Sequence, residues 1–360
     1  MLNLTQRIEQ YIREDVRELR PYAVQPSAGM VKLDAMENPF RLPLELQREL
    51  GERLGAVAIN RYPGERIEVL RAALAKHSRM PDGQALMLGN GSDELISLLA
   101  MACKLPGAAI LAPTPGFVMY EMSAELQAMN FVGVPLQPGT LELDEPAMLA
   151  AIEQHRPALI YIAYPNNPTG NLFDDAIIER IIAAAPGLVV IDEAYQPFAS
   201  KSYVDRYARH DHVLLMRTLS KFGLAGVRLG YMMGRRELIE QIEKVRPPYN
   251  VSVLNCEAAL FALEHEDEFA RQARVLRAER QRLFDALGTM PGVHPYPSEA
   301  NMILVRVPDA QRTFEGMKQR KVLIKSVGRS TSPLLANCVR LTVGSPEEND
   351  LMIAALRESL

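Results

Sequence analysis

One lysine lies between two hydroxyls in Arg217-Thr218-Leu219-Ser220-Lys221-Phe222-Gly223, and a glycine-containing turn then leads to Arg228. A lysine amine can form an imine with an aldehyde cofactor and later shuttle a proton. Hydroxyls and a guanidinium fork suit a phosphate. The segment is also compatible with a strand that ends at an exposed lysine and a loop. Asp192 closes the apolar run Leu188-Val189-Val190-Ile191. An acid there lies at the C-terminal edge of a buried strand, where open α/β sheets place ligands. It could keep a cofactor ring nitrogen protonated by opposite charge, or cap the next helix. Gly89-Asn90-Gly91-Ser92-Asp93-Glu94 precedes an apolar helical run. Its glycines and the free N–H groups of a helix start suit an anion; a plain helix start capped by Ser92 or Asp93 fits equally. It lacks the Gly-x-Gly-x-x-Gly pattern, which disfavours a dinucleotide. Arg340 lies in the apolar run Val339–Val343. A buried strand arginine needs an anionic partner.

These residues need a scaffold that brings strand ends together. Short apolar runs at 108–112, 158–163, 188–191, 213–216 and 229–233 alternate with amphipathic segments such as 93–102 and 174–184. Buried strands separated by helices argue for a mainly parallel sheet covered on both faces. Leu4, Ile8, Tyr11, Ile12, Val16 and Leu19 recur at helical spacing over 4–19, and an irregular stretch follows. After Pro247-Pro248, a long helical region is expected over roughly 255–287, with Glu264–Glu268 as a solvated patch. Runs at 302–307, 322–324 and 339–343 read as a smaller α/β domain. The expected division is an N-terminal arm over 1–35, a large domain over 36–255 and a small C-terminal domain over 256–360.

The bulk composition narrows the function. The chain has 360 residues, 40 Lys and Arg against 44 Asp and Glu, and no long block of one charge. That balance lacks the electrostatic footprint of a nucleic-acid binder. Cys103, Cys256 and Cys338 stand alone, with no Cys-x-x-Cys pair and no Cys/His cluster, so no metal site is expected. A sparse, odd count fits a reducing compartment. No signal-type leader and no run of 18 apolar residues is present, so a cytoplasmic enzyme without a membrane partner is the default.

The lysine segment resembles the lysine motif of fold-type-I, pyridoxal-phosphate-dependent aminotransferases of class II. Other marks follow the same order along the chain. Asn167-Pro168-Thr169-Gly170 resembles the family's Asn-Pro-Thr-Gly turn, and Asp192-Glu193-Ala194-Tyr195 its Asp-x-x-Tyr strand end. Leu33-Asp34-Ala35-Met36-Glu37-Asn38-Pro39, Asn60-Arg61-Tyr62-Pro63, Gly89–Glu94 and Arg340-Leu341-Thr342-Val343-Gly344 are most similar to the histidinol-phosphate aminotransferase family. The marks span almost the whole chain. Each is weak alone; six in order are strong.

The resemblance implies an α/β fold-type-I architecture and pyridoxal 5'-phosphate (PLP) as cofactor. Lys221 would hold it as a Schiff base and act as general base, and Asp192 would face the ring nitrogen. Tyr195 and Asn167 would hydrogen-bond the ring's phenolic oxygen. Gly91, Ser92, Asp93, Thr218, Ser220 and Arg228 would hold the phosphate, and Phe117 would stack on the ring unless it is an ordinary core residue. Tyr62 would reach the phosphate in the neighbouring subunit, making a homodimer part of the chemistry. Arg340 would bind the substrate's acidic group, with Lys325, where several relatives carry a second arginine, and Tyr22, Asn38 and Asn250 nearby. Met36 departs from the family's more usual Asn-Glu-Asn-Pro. The implied reaction converts L-histidinol phosphate and 2-oxoglutarate to imidazole-acetol phosphate and L-glutamate. An aromatic amino-acid aminotransferase and a decarboxylase of a phosphorylated amino acid such as threonine phosphate would share nearly every cofactor residue. A cofactor-binding regulator would need a DNA-binding domain for which the chain has no room before its motifs.

Overall fold

The computed structural model describes residues 2–19, 25–328 and 332–360. Tyr22 lies outside the described residues. A seven-stranded sheet forms the larger body. Its strands lie in the order Gln84–Gly89, Gly230–Arg235, Val213–Thr218, Leu188–Asp192, Leu159–Ala163, Ala109–Thr114 and Asn130–Pro135. Gly230–Arg235 runs antiparallel to both of its neighbours, and the remaining pairs are parallel. The central strands are buried along their whole length save Leu188. That is why they read as continuous apolar runs instead of alternating ones.

Side chains on the two faces enter separate cores. Ile160, Ile162, Val189, Ile191, Val213 and Leu215 pack on one side. Leu159, Tyr161, Val190, Leu214 and Met216 pack on the other, against the Ser92–Ala102 helix. Two strands have no counterpart among the expected runs. Gln84–Gly89 opens on a buried glutamine, and Asn130–Pro135 lies at the sheet edge with a mostly uncovered pattern. The first carries the short buried run Leu86-Met87-Leu88, which is absent from the expected runs, whereas the second has no strong apolar run.

The smaller body is built on a four-stranded antiparallel sheet ordered Lys325–Ser326, Cys338–Thr342, Met302–Arg306, His294–Pro295. The expected irregular stretch contributes to it: Val31–Lys32 pairs in parallel with Val322–Leu323, and Leu33 and Met36 are buried in its core. The expected long helix breaks at His265 into Val253–Glu264 and Glu266–Gly288. The first piece packs on the large-body helices Leu44–Gly55 and Arg66–His77, placing Cys256, Ala259 and Leu260 in the large core. Phe269 of the second piece joins that core, whereas Ala273 and Leu276 belong to the smaller one. The hand-over between cores thus falls inside this helix, beyond residue 255. The acidic patch beside the break is paired: Glu264 with Arg53 and Glu266 with His77.

The amphipathic N-terminal segment forms two helices, Leu4–Tyr11 and Glu14–Glu18, neither burying a residue. Between them Arg13 turns its guanidinium onto the carbonyls of Glu125 and Leu126. Among the described residues no helix is long and apolar enough to cross a membrane, and no group of His, Cys, Asp or Glu is placed to hold a metal ion.

Candidate active site

The C-terminal ends of the central strands open into a cleft. Met36, Ser92, Asp93, Phe117, Tyr120, Asn167, Asp192, Tyr195, Thr218, Ser220, Lys221 and Arg228 line it. Residues scattered over almost 200 positions converge here because parallel strands all end on the same side.

Lys221 sits just beyond the strand Val213–Thr218, in the tight turn Ser220–Leu224. Its Nζ donates to the Ala35 carbonyl at 2.9 Å and stands 5.9 Å from the centre of the Tyr195 ring. Burial and, next, the Arg340 charge bring its pKa down to about 8. Gly223 takes a φ of 142° here; a side chain at that position would run into the Phe269 ring. The glycine therefore lets the lysine turn pack closely against Glu266–Gly288.

Asp192 is 3% exposed. Its Oδ2 accepts from the Tyr120 hydroxyl at 2.7 Å and its Oδ1 from the Ala194 N–H at 3.0 Å. Burial lifts its pKa to about 6 against those two hydrogen bonds. No cation among the described residues pairs with it. Asp192 does not cap the next helix, Gln196–Phe198, whose N-cap is Tyr195; its bond to Ala194 closes only the turn between.

Asn167 links Tyr195 to Arg340. Its Nδ2 donates to the Tyr195 hydroxyl at 3.0 Å, and its Oδ1 accepts from Arg340 Nη1 at 2.7 Å. Arg340 Nη2 donates to the Asp34 carbonyl at 2.7 Å. Burial holds the Tyr195 phenol above its ordinary pKa, with Arg340 opposing. Lys325 lies directly across from Arg340 on the adjacent antiparallel strand. Directly opposed residues share one face, so two cationic side chains stand together.

At the other end of the cleft, the Ser92–Ala102 helix begins after Gly91, whose φ is 81° and which supplies no side-chain cap. Neither Ser92 nor Asp93 is the N-cap, so the first N–H groups of this helix stay available to an anion. Arg228 stands over this end, with Nη1 3.4 Å from Ser220 Oγ and Nη2 3.3 Å from Asp93 Oδ2. Thr218 Oγ1 lies 3.0 Å from Ser220 Oγ. A Cβ on Gly91 would come within 2.5 Å of Arg228 Nη2, and one on Gly230 within 2.7 Å of the Ser92 nitrogen. Both glycines therefore clear the cradle.

Some expected residues stand apart from the cleft within this chain. Tyr62 is 74% exposed and stacks on Tyr249 at 4.2 Å. Asn38 bridges Gln272 and the Phe40 N–H. Asn250 is occupied behind the phosphate-type loop: it accepts from Arg246, donates to Glu94 and takes a bond from Asn90 on its carbonyl. Its contacts hold that loop in place instead of facing the cleft. Phe117 lines the cleft and meets the Tyr120 ring edge-on. Sequence reasoning missed Tyr120. The available signal was its place three residues after Phe117, one helical turn on. It also missed the Ala35 carbonyl, which has no side-chain signature.

The model of the family "Aminotransferase class I and II" matches residues 28–356. Histidinol-phosphate aminotransferase of Methylibium petroleiphilum is 71% identical, covering 98% of this chain and 96% of that protein. The enzyme of the same name from Polaromonas naphthalenivorans is 64% identical, covering 99% and 98%. The crystal structure of histidinol-phosphate aminotransferase from Sinorhizobium meliloti in complex with pyridoxal-5'-phosphate superposes with a TM-score of 0.86, at 24% identity and 97% coverage of both chains. With strand ends, lysine turn and anion cradle in one cleft, and a family match over nearly its whole length, the chain belongs to the class I and II aminotransferases.

Proposed function

We propose that this protein is a PLP-dependent aminotransferase that converts L-histidinol phosphate and 2-oxoglutarate to imidazole-acetol phosphate and L-glutamate. The observation that carries it is the chain Lys221–Tyr195–Asn167–Arg340, which links a cleft amine of lowered pKa through Tyr195 and Asn167 to a buried guanidinium. The names of relatives up to 71% identical over nearly the full length support the choice of substrate.

The residues fit the cofactor. Asp192 is a buried carboxylate without a cation among the described residues, as expected of a partner for a protonated pyridine nitrogen. The glycine-cleared cradle under Arg228 fits a phosphate. When bound, PLP supplies the aldehyde that receives the amino group and a protonated ring that withdraws electrons. Lys221 Nζ, partly neutral near pH 7, anchors that aldehyde and moves the proton taken from the amine-bearing carbon of the substrate. Tyr195 and Asn167 would hold the ring's phenolic oxygen, and Phe117 would cover one ring face. Ser92, Asp93, Thr218, Ser220 and Arg228 orient the phosphate end. Arg340, steadied by Asn167 and the Asp34 carbonyl, takes the phosphate of one substrate and the carboxylate of the other; a guanidinium fork matches both. Lys325 adds charge on the same face. Asn250 braces the loop behind the phosphate.

The functional unit is a homodimer in the cytoplasm. Tyr62 and Tyr249 form an exposed aromatic stack, with Ile59 also uncovered. A second copy would cover this patch and receive Tyr62 at its own phosphate site.

The deciding experiment is a panel of amino donors with 2-oxoglutarate, following glutamate and carbon dioxide. Histidinol phosphate should give glutamate far faster than phenylalanine or tyrosine. Preference for an aromatic amino acid, or release of carbon dioxide without glutamate, would overturn the assignment.

A further inference from the structure

Asp192 is gripped from behind by one side chain. Tyr120 is 2% exposed, and its hydroxyl donates to Asp192 Oδ2 at 2.7 Å. The Tyr120 ring is held on two further sides: it stacks on Tyr161 at 4.4 Å and 11°, and Phe117 meets it edge-on at 5.6 Å. The phenol is thus fixed in the core with its oxygen aimed at the carboxylate. Tyr161 offers a contrast within the same stack, because its buried hydroxyl has no hydrogen-bond partner among the described residues.

We propose that Tyr120 is a positioning residue for the transfer reaction, its hydroxyl orienting Asp192 and holding that carboxylate ionised toward the cofactor's ring nitrogen. This rests on the role given to Asp192 above. A buried carboxylate with no cation beside it keeps its charge only through donors. Asp192 has two, and the backbone N–H of Ala194 is beyond the reach of a side-chain substitution. Among the described residues, Tyr120 is therefore the one side chain that donates to the acid. With the ring fixed by Tyr161 and Phe117, the Oδ2–phenol bond sets the direction in which the charge is presented.

The test uses the holoenzyme and two matched deletions of one hydroxyl each. Tyr120→Phe keeps the stack and removes the bond to Asp192; Tyr161→Phe removes the unpartnered hydroxyl. PLP affinity is measured by fluorescence titration of apoprotein, and ring-nitrogen protonation by the ¹⁵N shift of bound, labelled PLP as a function of pH. Loss of a hydrogen bond to a charged group corresponds to roughly 10- to 100-fold weaker PLP binding in Tyr120→Phe. Its ring nitrogen should also lose the proton at lower pH than in the parent, while Tyr161→Phe matches the parent in both readouts. In an Asp192→Asn background, Tyr120→Phe should cause no additional loss, because the two act as one unit. Equal behaviour of the two phenylalanine variants overturns the proposal, as does an undiminished Tyr120→Phe effect in the Asp192→Asn background. If Asp192→Asn itself leaves PLP affinity and the ¹⁵N shift unchanged, the role of Asp192 fails first. If Asp192→Asn is impaired while Tyr120→Phe is silent, only the inference about Tyr120 falls.

Discussion

Lys221 is expected to capture an aldehyde at neutral pH much faster than an ordinary lysine. Only the neutral amine attacks a carbonyl. Packing around Lys221, helped by the Arg340 charge and opposed by Glu37 and Asp93, lowers its pKa from 10.5 to about 8. At pH 7 the neutral fraction is then about one-tenth, against about 3 in 10,000 for the unshifted amine, a gain of roughly 300-fold. The assay is the rate at which apoprotein captures PLP between pH 6.5 and about 10.5, quenched with borohydride and read by mass spectrometry. The rate should rise through a midpoint near pH 8 and then level off. Arg340→Gln removes the nearby positive charge and should move that midpoint upward. A rate that climbs without a plateau past pH 10, or a midpoint indifferent to Arg340→Gln, would refute the argument from burial and charge.

Further consequences follow from the same residues. Asp192 holds its proton up to about pH 6 in the fold against an ordinary 3.8; the folded chain therefore binds more protons between those values, and stability falls as pH rises through them. Asp192→Asn apoprotein should melt higher than the parent at pH 7, by up to about 3 kcal/mol, with the gap closing below pH 4, while kcat of the holoenzyme drops roughly 100-fold or more. Calorimetry beside a glutamate assay checks both signs. Lys221 has the opposite linkage: the unfolded chain binds more protons between pH 8 and 10.5, so the lysine costs stability below that window. Lys221→Met should abolish turnover yet stabilise apoprotein at pH 7 by about 1–2 kcal/mol, after allowing for the lost donor to Ala35, and that advantage should vanish above pH 10.5. Tyr62 can be tested with hybrids of Lys221→Ala and Tyr62→Phe chains. If Tyr62 acts across the subunit interface, the mixed dimer holds one native site and recovers activity that neither parent dimer shows; no recovery would place Tyr62 outside the neighbouring site.

The strand ends were legible because burial on both faces forces long apolar runs, and because an acid directly after such a run, or a lysine set among hydroxyls shortly beyond one, is conspicuous. Asp192 and Lys221 were both found in this way, and the observed strands 188–192 and 213–218 extend the expected runs by only one or two residues. The strand Asn130–Pro135 was not, since an edge strand is only half covered and keeps polar residues. The N-terminal helix pattern was correct in period but not in continuity, because Arg13 breaks it to reach carbonyls of a distant helix.

Local chemistry thus determined which residues react: an amine between hydroxyls, an acid after a strand, glycines before a helix, and an arginine among apolar neighbours are all statements about adjacent positions. Tertiary structure decided what they do to one another. Arg340 meets Asn167 across 173 positions, Lys221 meets Ala35 across 186, and Tyr120 meets Asp192 across 72. Folding brings these groups together, and burial beside the Arg340 charge depresses the lysine, while the Tyr120 bond aims the carboxylate; no local pattern encodes either. Burial and charge proximity are properties of through-space neighbours, which the order of residues along the chain specifies only once the whole chain has folded.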